Sequence, residues 1–193
     1  CKGVSDKPSQ LIRNDLLIHH YHLGVMFKFC EVGKMLQYIG DSSKIKNRVR
    51  QHCTGNVESS ALRKTIAEEM GFEIVSVKRP SGSRKKTVNP ISAEKLISDY
   101  IQSGNWKVVS CQTVDEARDF QWYGIDKMRP PLNKYMQFWD LNNESTYQAL
   151  LDEMLDSEFI EFVSTLNITK EPGVYSLWHE NSPVDFVEKV RND

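Results

Sequence analysis

The segment Tyr38-Ile39-Gly40 most constrains the fold, because it ends one predicted strand shortly before a predicted helix. Met35 to Ile39 has the composition of a strand, and so has Gly24 to Phe29 before it. Glu31-Val32-Gly33-Lys34 lies between them and is typical of a turn. The chain is therefore predicted to contain an antiparallel hairpin whose second strand runs into Gly40.

The rest of the chain alternates between helical and extended patterns. Apolar residues that recur every three or four positions predict helices from Ser42 or Ser43 to about Cys53, Ser59 or Ser60 to Gly71, Ala93 to Ile101, and Thr113 to about Met128. Further strands are predicted at Phe72 to Val77 and Trp106 to Cys111, with a basic loop at Lys78 to Pro90. This order predicts the α/β class, with a small, mostly antiparallel sheet of three or four strands and helices on both sides.

Three regions follow from these patterns. Residues 1–20 predict an N-terminal helical extension, and residues 21–136 predict the main domain. Residues 137–193 predict an acidic helical tail, which could begin a second domain. Within that tail, Glu144 to Thr165 reads as one or two amphipathic helices, followed by a hairpin around Gly173.

The net charge of −1 hides a strong asymmetry along the chain. Basic residues dominate residues 44–86, and acidic residues dominate the chain after Met136. Such an asymmetry favours a nucleic-acid-binding face, although any single lysine is better explained as part of a solvated helix surface. A protein-interaction domain without nucleic acid is the weaker interpretation.

The four cysteines are scattered and form no CxxC pair. This spacing indicates neither a zinc site nor a redox motif, and it favours reduced thiols in a cytoplasmic protein. No apolar run reaches the roughly 18 residues that a membrane-spanning helix needs.

Several residues keep a fixed order and spacing around Tyr38-Ile39-Gly40. Gly24-Val25-Met26 precedes it, Arg48 follows ten residues after Tyr38, and His52 comes one helical turn later. Far downstream, a predicted helix carrying Gln121 runs into Pro130-Pro131-Leu132-Asn133. In this order the set resembles the GIY-YIG nuclease superfamily, which cuts DNA phosphodiesters, over roughly residues 23–134.

The resemblance implies roles for four of these residues. Tyr38 would relay a proton or hold the attacking water, since nearby cations favour a phenolate. Arg48 would bind two phosphate oxygens with its forked guanidinium. His52 would act as a general acid or bind a phosphate, and Asn133 would support the site through hydrogen bonds.

Two positions depart from the family pattern. Met26 stands where the first tyrosine is expected, and a thioether cannot take a proton from water. Gln121 stands where a glutamate holds one divalent metal ion, Mg²⁺ or Mn²⁺, and an amide brings no charge to that site. Gln121 also interrupts an apolar helical stripe, so it is expected to face a pocket. The substitution is either natural decay or a deliberate change.

Pro172-Gly173-Val174-Tyr175 looks like a second GIY element and matches the pattern better than Gly24-Val25-Met26 does. No YIG element follows it before residue 193. A strand in the tail is therefore favoured over a truncated second repeat.

The resemblance predicts a metal-dependent DNA endonuclease, of restriction or repair type, that acts on double-stranded or branched DNA and is inactive if Gln121 abolishes metal binding. The alternative is a decayed nuclease domain that binds nucleic acid without cutting it. The acidic tail would then serve a protein partner or a homodimer. DNA contacts are predicted at Lys44, Lys46, Ser60, Arg63, Lys64, Arg84, Lys85 and Lys86.

Overall fold

The computed structural model describes residues 30–31 and 33–192. The helices are α1 (Ile45–Thr54), α2 (Ala61–Glu69), α3 (Ala93–Ser103), α4 (Val114–Met128), α5 (Glu144–Asp156) and α6 (Pro183–Asn192). The strands are β1 (Cys30–Glu31), β2 (Lys34–Ser42), β3 (Glu73–Lys78), β4 (Arg84–Asn89), β5 (Asn105–Ser110), β6 (Ile160–Glu161) and β7 (Gly173–His179). The predicted α/β class is confirmed.

The main sheet has the strand order β1-β2-β7-β5-β6, and all its pairings are antiparallel. Three strands are long, while β1 and β6 have two residues each. The pairing of Cys30 with Met35 and of Glu31 with Lys34 confirms the predicted hairpin at its turn. The predicted strand Gly24–Phe29 and the predicted helical extension at 1–20 lie outside the described residues.

Strand β7 occupies the centre of the sheet, between β2 and β5. The prediction that residues 173–179 belong to a separate tail is therefore wrong, and so is the predicted hairpin around Gly173. Every residue of β7 is buried, because helices cover both faces of the sheet. The boundary predicted after Met136 accordingly does not separate β7 from the domain.

A β-bulge in β2 decides which side chains reach each face of the sheet. The register with β7 shifts between Leu36 and Tyr38, so that Leu36 faces Trp178 while Tyr38 faces Leu177. A regular strand would direct residues 36 and 38 to the same side. The bulge instead turns Tyr38 toward the opposite face from Leu36 and Ile39.

The two faces of the sheet are covered by different helices. Helices α1, α2, α3 and α6 pack with Tyr175, Leu177 and Trp106 in one core cluster. Helices α4 and α5 pack with Leu36, Ile39 and Trp178 in the other. We call these the α1 face and the α4 face. No helix among residues 33–192 is long and apolar enough to cross a membrane.

The predicted basic loop at residues 78–90 is mostly strand, which corrects that prediction. β4 pairs with β3 over six residues, from Lys78–Arg84 to Glu73–Asn89, and forms a separate hairpin. Four of the six side chains of β4 are exposed, and only Val88 is buried. The strand therefore lacks the apolar alternation that would have revealed it in the sequence.

The predicted helix starts at Ser60 and Thr113 are confirmed by side-chain caps, whereas the helix predicted to start at Ser42 or Ser43 begins at Ile45. The Ser60 hydroxyl accepts from the backbone N–H of Arg63 at 3.1 Å, and Thr113 accepts from that of Glu116 at 3.0 Å. Helix α1 begins one residue after Lys44, which makes no side-chain cap. Arg129, with φ 48°, ends α4 before Pro130.

Candidate active site

Two tyrosines from neighbouring strands meet under helix α1. Tyr38 lies on β2 and Tyr175 on β7, where Tyr175 is directly opposite Gly40. Their ring centroids are 6.3 Å apart, and the His52 ring lies 6.1 Å from Tyr38 and 5.4 Å from Tyr175. The sheet and α1 thus bring three ionisable rings into one cluster.

Gly40 allows the two phenols to approach each other. A Cβ atom at this position would lie 2.4 Å from the Tyr175 hydroxyl oxygen and 2.8 Å from Cε1 of Tyr38. Contacts that short do not occur, so any side chain here would displace one of the rings. The glycine of Tyr38-Ile39-Gly40 is therefore required by packing at the site rather than by a turn.

His52 is completely buried between β7 and the start of α2. Its Nε2 lies 2.8 Å from the Tyr175 hydroxyl, and its Nδ1 lies 2.7 Å from Ser60 Oγ. The ring also stacks on Trp106, at 6.2 Å between centroids and 12° between planes. Burial, reinforced by the Arg48 and Arg63 guanidiniums, holds the pKa of His52 well below its usual value.

Arg48 projects from α1 beside these rings. Its Nη1 donates to Oε1 of Gln51 at 2.8 Å and to the carbonyl oxygen of Ser59 at 3.2 Å. These bonds orient the guanidinium at the edge of the cluster, where the side chain is partly exposed. Such a group can bind a phosphate while contacting the tyrosines.

Burial raises the pKa of both tyrosines. For Tyr38 this is the largest influence, and the Arg48 guanidinium opposes it by favouring the phenolate. For Tyr175 burial is also the largest influence, and its pKa lies well above its usual value. Tyr38 is partly exposed, whereas Tyr175 is not, so Tyr38 is the tyrosine that a ligand can reach.

Asn133 bonds to the backbone of β2 next to Tyr38. Its Oδ1 accepts from the N–H of Ile39 at 2.8 Å, and its Nδ2 donates to the carbonyl oxygen of Ile39 at 2.8 Å. The N–H of Leu132 also donates to the carbonyl oxygen of Gln37 at 3.0 Å. Residues 132–133 therefore satisfy this edge of β2 as a partner strand would, and they fix the bulge.

Gln121 reaches the end of β2 from the α4 face. Only 7% of the residue is exposed, and its Oε1 accepts from the backbone N–H of Asp41 at 3.1 Å. Because a backbone N–H requires an acceptor, this bond determines which amide atom is oxygen. The amide nitrogen therefore occupies the position where a glutamate would present its second oxygen.

The described residues around Gln121 do not fit a bound metal ion. Divalent Mg²⁺ prefers carboxylate oxygens, but Gln121 contributes a neutral amide whose oxygen is already bonded. Asp41 is the nearest carboxyl along β2, and its pKa is raised by burial. Residues 33–192 contain no group of three or more histidine, cysteine or acidic side chains able to hold a metal.

Two of the predicted DNA contacts are wrong because their side chains are buried. Ser60 is 1% exposed and Arg63 is not exposed at all. The Arg63 guanidinium donates to Glu94 Oε2 at 2.7 Å and to the carbonyl oxygen of His52 at 2.9 Å. Arg63 therefore joins α1, α2 and α3 and is not available to a phosphate.

The other six predicted DNA contacts lie at the surface. The exposed ones are Lys44, Arg84, Lys85 and Lys86, and the partly exposed ones are Lys46 and Lys64. The β3–β4 hairpin is linked to the site through an ion pair between Arg79 and Glu58. Glu58 directly precedes Ser59, whose carbonyl oxygen binds Arg48.

Sequence reasoning missed Tyr175. The signal was present in Pro172-Gly173-Val174-Tyr175, but sequence order alone placed it in the tail. Met26, the residue predicted at the first tyrosine position, lies outside the described residues. In the structure, a tyrosine beside Tyr38 comes from the carboxyl-terminal strand β7.

Two tyrosines, an arginine and a histidine thus lie together on one face of an antiparallel sheet. The sequence profile of the GIY-YIG catalytic domain matches residues 18–150, which is more than half of the chain. The chain belongs to the GIY-YIG family, whose members are nucleases that act on DNA and generally use divalent metals. Comparisons with curated proteins and with solved structures found no match.

Proposed function

We propose that the chain is a DNA phosphodiesterase of GIY-YIG type that lacks only the metal-binding carboxylate. The convergence of Tyr38, Tyr175, Arg48 and His52 on the α1 face carries this proposal. With Gln121 in place, the domain would bind DNA and cut it poorly or not at all. With a glutamate there, one Mg²⁺ or Mn²⁺ ion would complete the site.

Arg48 and Tyr38 have the roles closest to the substrate. The Arg48 guanidinium would neutralise the phosphate and stabilise the charge that builds up during hydrolysis. Tyr38 would take a proton from the attacking water, because the Arg48 guanidinium favours its phenolate and the residue is partly exposed. Asn133 would hold the strand that carries Tyr38.

Double-stranded or branched DNA is the proposed substrate. The exposed basic residues of β4 stand on a hairpin that the Arg79–Glu58 ion pair joins to the segment between α1 and α2, where the Ser59 carbonyl oxygen accepts from Arg48. A basic surface continuous with the site suits a phosphate backbone that passes over it.

The second candidate is a DNA-binding module that no longer cuts. The orientation of the Gln121 amide favours it, because a hydrogen-bond donor points where the family places a cation ligand. Its exposed acidic residues on α5 would then serve a protein partner or a second copy of the chain.

Cleavage of plasmid and branched DNA by the parent and by Gln121→Glu, with and without Mg²⁺, distinguishes the two candidates. Cleavage by the Gln121→Glu form alone supports the nuclease. Salt-sensitive binding without cleavage by either form supports the binding module, and no binding by either form would exclude both.

Two controls accompany the assay. Gln137→Glu adds the same charge at an exposed position and should restore nothing. Arg48→Ala in the Gln121→Glu form should abolish cleavage and keep most DNA binding. Unchanged cleavage would remove Arg48 from the site.

A further inference from the structure

Four polar side chains form a line from the start of α2 to the surface of the site. They are Ser60, His52, Tyr175 and Tyr38, with 2.7 Å between Ser60 Oγ and Nδ1 and 2.8 Å between Nε2 and the Tyr175 hydroxyl. Ser60, His52 and Tyr175 are 1%, 0% and 1% exposed. Only Tyr38, at the end of the line, can meet a ligand directly.

The two partners of the Ser60 hydroxyl indicate the direction in which hydrogen bonds are donated along this line. Ser60 Oγ accepts from the N–H of Arg63, so the oxygen is already an acceptor in the cap of α2. Among the described residues, the other group within hydrogen-bond distance of this hydroxyl is His52 Nδ1, at 2.7 Å. If Nδ1 carried its own hydrogen, the Ser60 hydroxyl would be buried without an acceptor, which is costly.

His52 has one hydrogen to share between its two ring nitrogens. Burial and the Arg48 and Arg63 guanidiniums lower its pKa, so the ring is neutral. Since Nδ1 accepts from Ser60, the hydrogen lies on Nε2 and is donated to the Tyr175 oxygen. The hydrogen of Tyr175 is then left to point toward Tyr38.

We propose that Ser60 is a positioning residue that fixes the direction of this chain as Ser60 to His52 to Tyr175 to Tyr38. His52 is then a hydrogen-bond donor inside the domain, in contrast to the general acid or phosphate ligand predicted from the sequence. Tyr175 is also a donor, and Tyr38 is the acceptor at the end of the chain.

This direction separates the roles of the two tyrosines. A hydrogen bond from Tyr175 favours the ionised form of Tyr38, as the Arg48 guanidinium does, while burial and Asp41 oppose it. Burial raises the pKa of Tyr38 less strongly than that of Tyr175, so Tyr38 is the better proton acceptor of the two. This consequence rests on the proposed function, whereas the direction of the chain does not.

Nitrogen-15 NMR of the imidazole rings tests the direction on the parent protein. Comparison with a His52→Gln variant assigns the His52 signals among those of the five histidines. At neutral pH we expect hydrogen on Nε2 and a bare Nδ1. Hydrogen on Nδ1, alone or together with Nε2, would overturn the proposal, whether or not any form of the protein cuts DNA.

Two substitutions at Ser60 separate its effect on His52 from its cap. Ser60→Thr keeps a hydroxyl, and Ser60→Asp keeps an acceptor for Arg63 but has no hydrogen to donate; both residues cap helices well. We expect Ser60→Thr to leave the His52 tautomer unchanged and Ser60→Asp to move hydrogen onto Nδ1. A bare Nδ1 in a folded Ser60→Asp protein would contradict the role given to Ser60.

If the Gln121→Glu form cuts DNA, the same pair tests catalysis. Ser60→Asp should lower the cleavage rate by about 100-fold, the lower range for a positioned proton-transfer group, and shift the pH–rate profile. Ser60→Thr should cut as its parent does, with the same profile. Equal rates and profiles for both variants would limit Ser60 to capping α2.

Discussion

The two faces of the main sheet contain halves of one candidate site in very different condition. On the α1 face, the rings of Tyr38, Tyr175 and His52 lie together beside Arg48, and the His52 ring has a partner at each nitrogen. On the α4 face, Gln121 meets the same strand through a single bond to the backbone of Asp41. The α1 face retains all four side chains, whereas on the α4 face Gln121 has the shape of a glutamate without its negative charge.

This difference shows which features of such a site depend on the fold. His52 and Tyr175 of this group are buried, so losing either would leave unpaired polar atoms in the core. Gln121 keeps the volume and one hydrogen bond of a glutamate, so its change costs the fold little. A chain can therefore lose metal binding while stability preserves the buried Tyr175 and His52.

The largest effect is expected from a substitution on the α1 face. In the Gln121→Glu form, Tyr175→Phe should lower cleavage by about 10²- to 10⁴-fold, because it removes the hydroxyl between His52 and Tyr38. Cleavage rates at saturating Mg²⁺ measure this, and thermal unfolding verifies that the variant folds.

Met26→Leu is the matched control for Tyr175. If Tyr175 supplies the first tyrosine of the site, Met26→Leu should cleave as its parent does. A loss with Met26→Leu and none with Tyr175→Phe would return that role to the amino-terminal segment.

A middle-sized effect concerns the strand that both halves share. Asn133→Ala should destabilise the protein by about 2 kcal/mol, since it leaves the N–H and C=O of Ile39 without side-chain partners. Denaturant unfolding measures this change. Asn133→Asp keeps the acceptor but sets a carboxylate oxygen against the Ile39 carbonyl, so it should not restore stability. Full stability of Asn133→Ala would show that water replaces both bonds.

Much of the fold could be predicted from local patterns. The hairpin turn, four helices and strands β3 and β5 follow from apolar periodicity and from caps such as Ser60 and Thr113. The position of Asn133 beside β2 follows from nothing local, since its partner Ile39 lies 94 residues away in the chain. The family resemblance supplied only the expectation that Asn133 supports the site through hydrogen bonds.

The errors share a physical cause, which is that sequence order does not determine strand order. Gly173 to His179 was recognisable as a strand, yet only the complete sheet places it between β2 and β5. Burial was equally hidden: Arg63 looks like a phosphate ligand until Glu94 and the His52 carbonyl are seen to bind it. Long-range partners decide both cases.

The smallest expected effect lies outside both halves, on the β3–β4 hairpin. Lys85→Ala with Lys86→Ala should reduce the slope of log affinity against log salt by about 1.8, because each lost phosphate contact releases about 0.9 counterions fewer. Both halves of the site stay intact in this variant, so cleavage by the Gln121→Glu form should persist at low salt. DNA-binding titrations across salt concentrations measure the slope. Lys127→Ala with Lys189→Ala removes two charges from helices α4 and α6 and should leave the slope unchanged. Equal slopes for both double variants would mean that DNA reaches Arg48 without touching the hairpin.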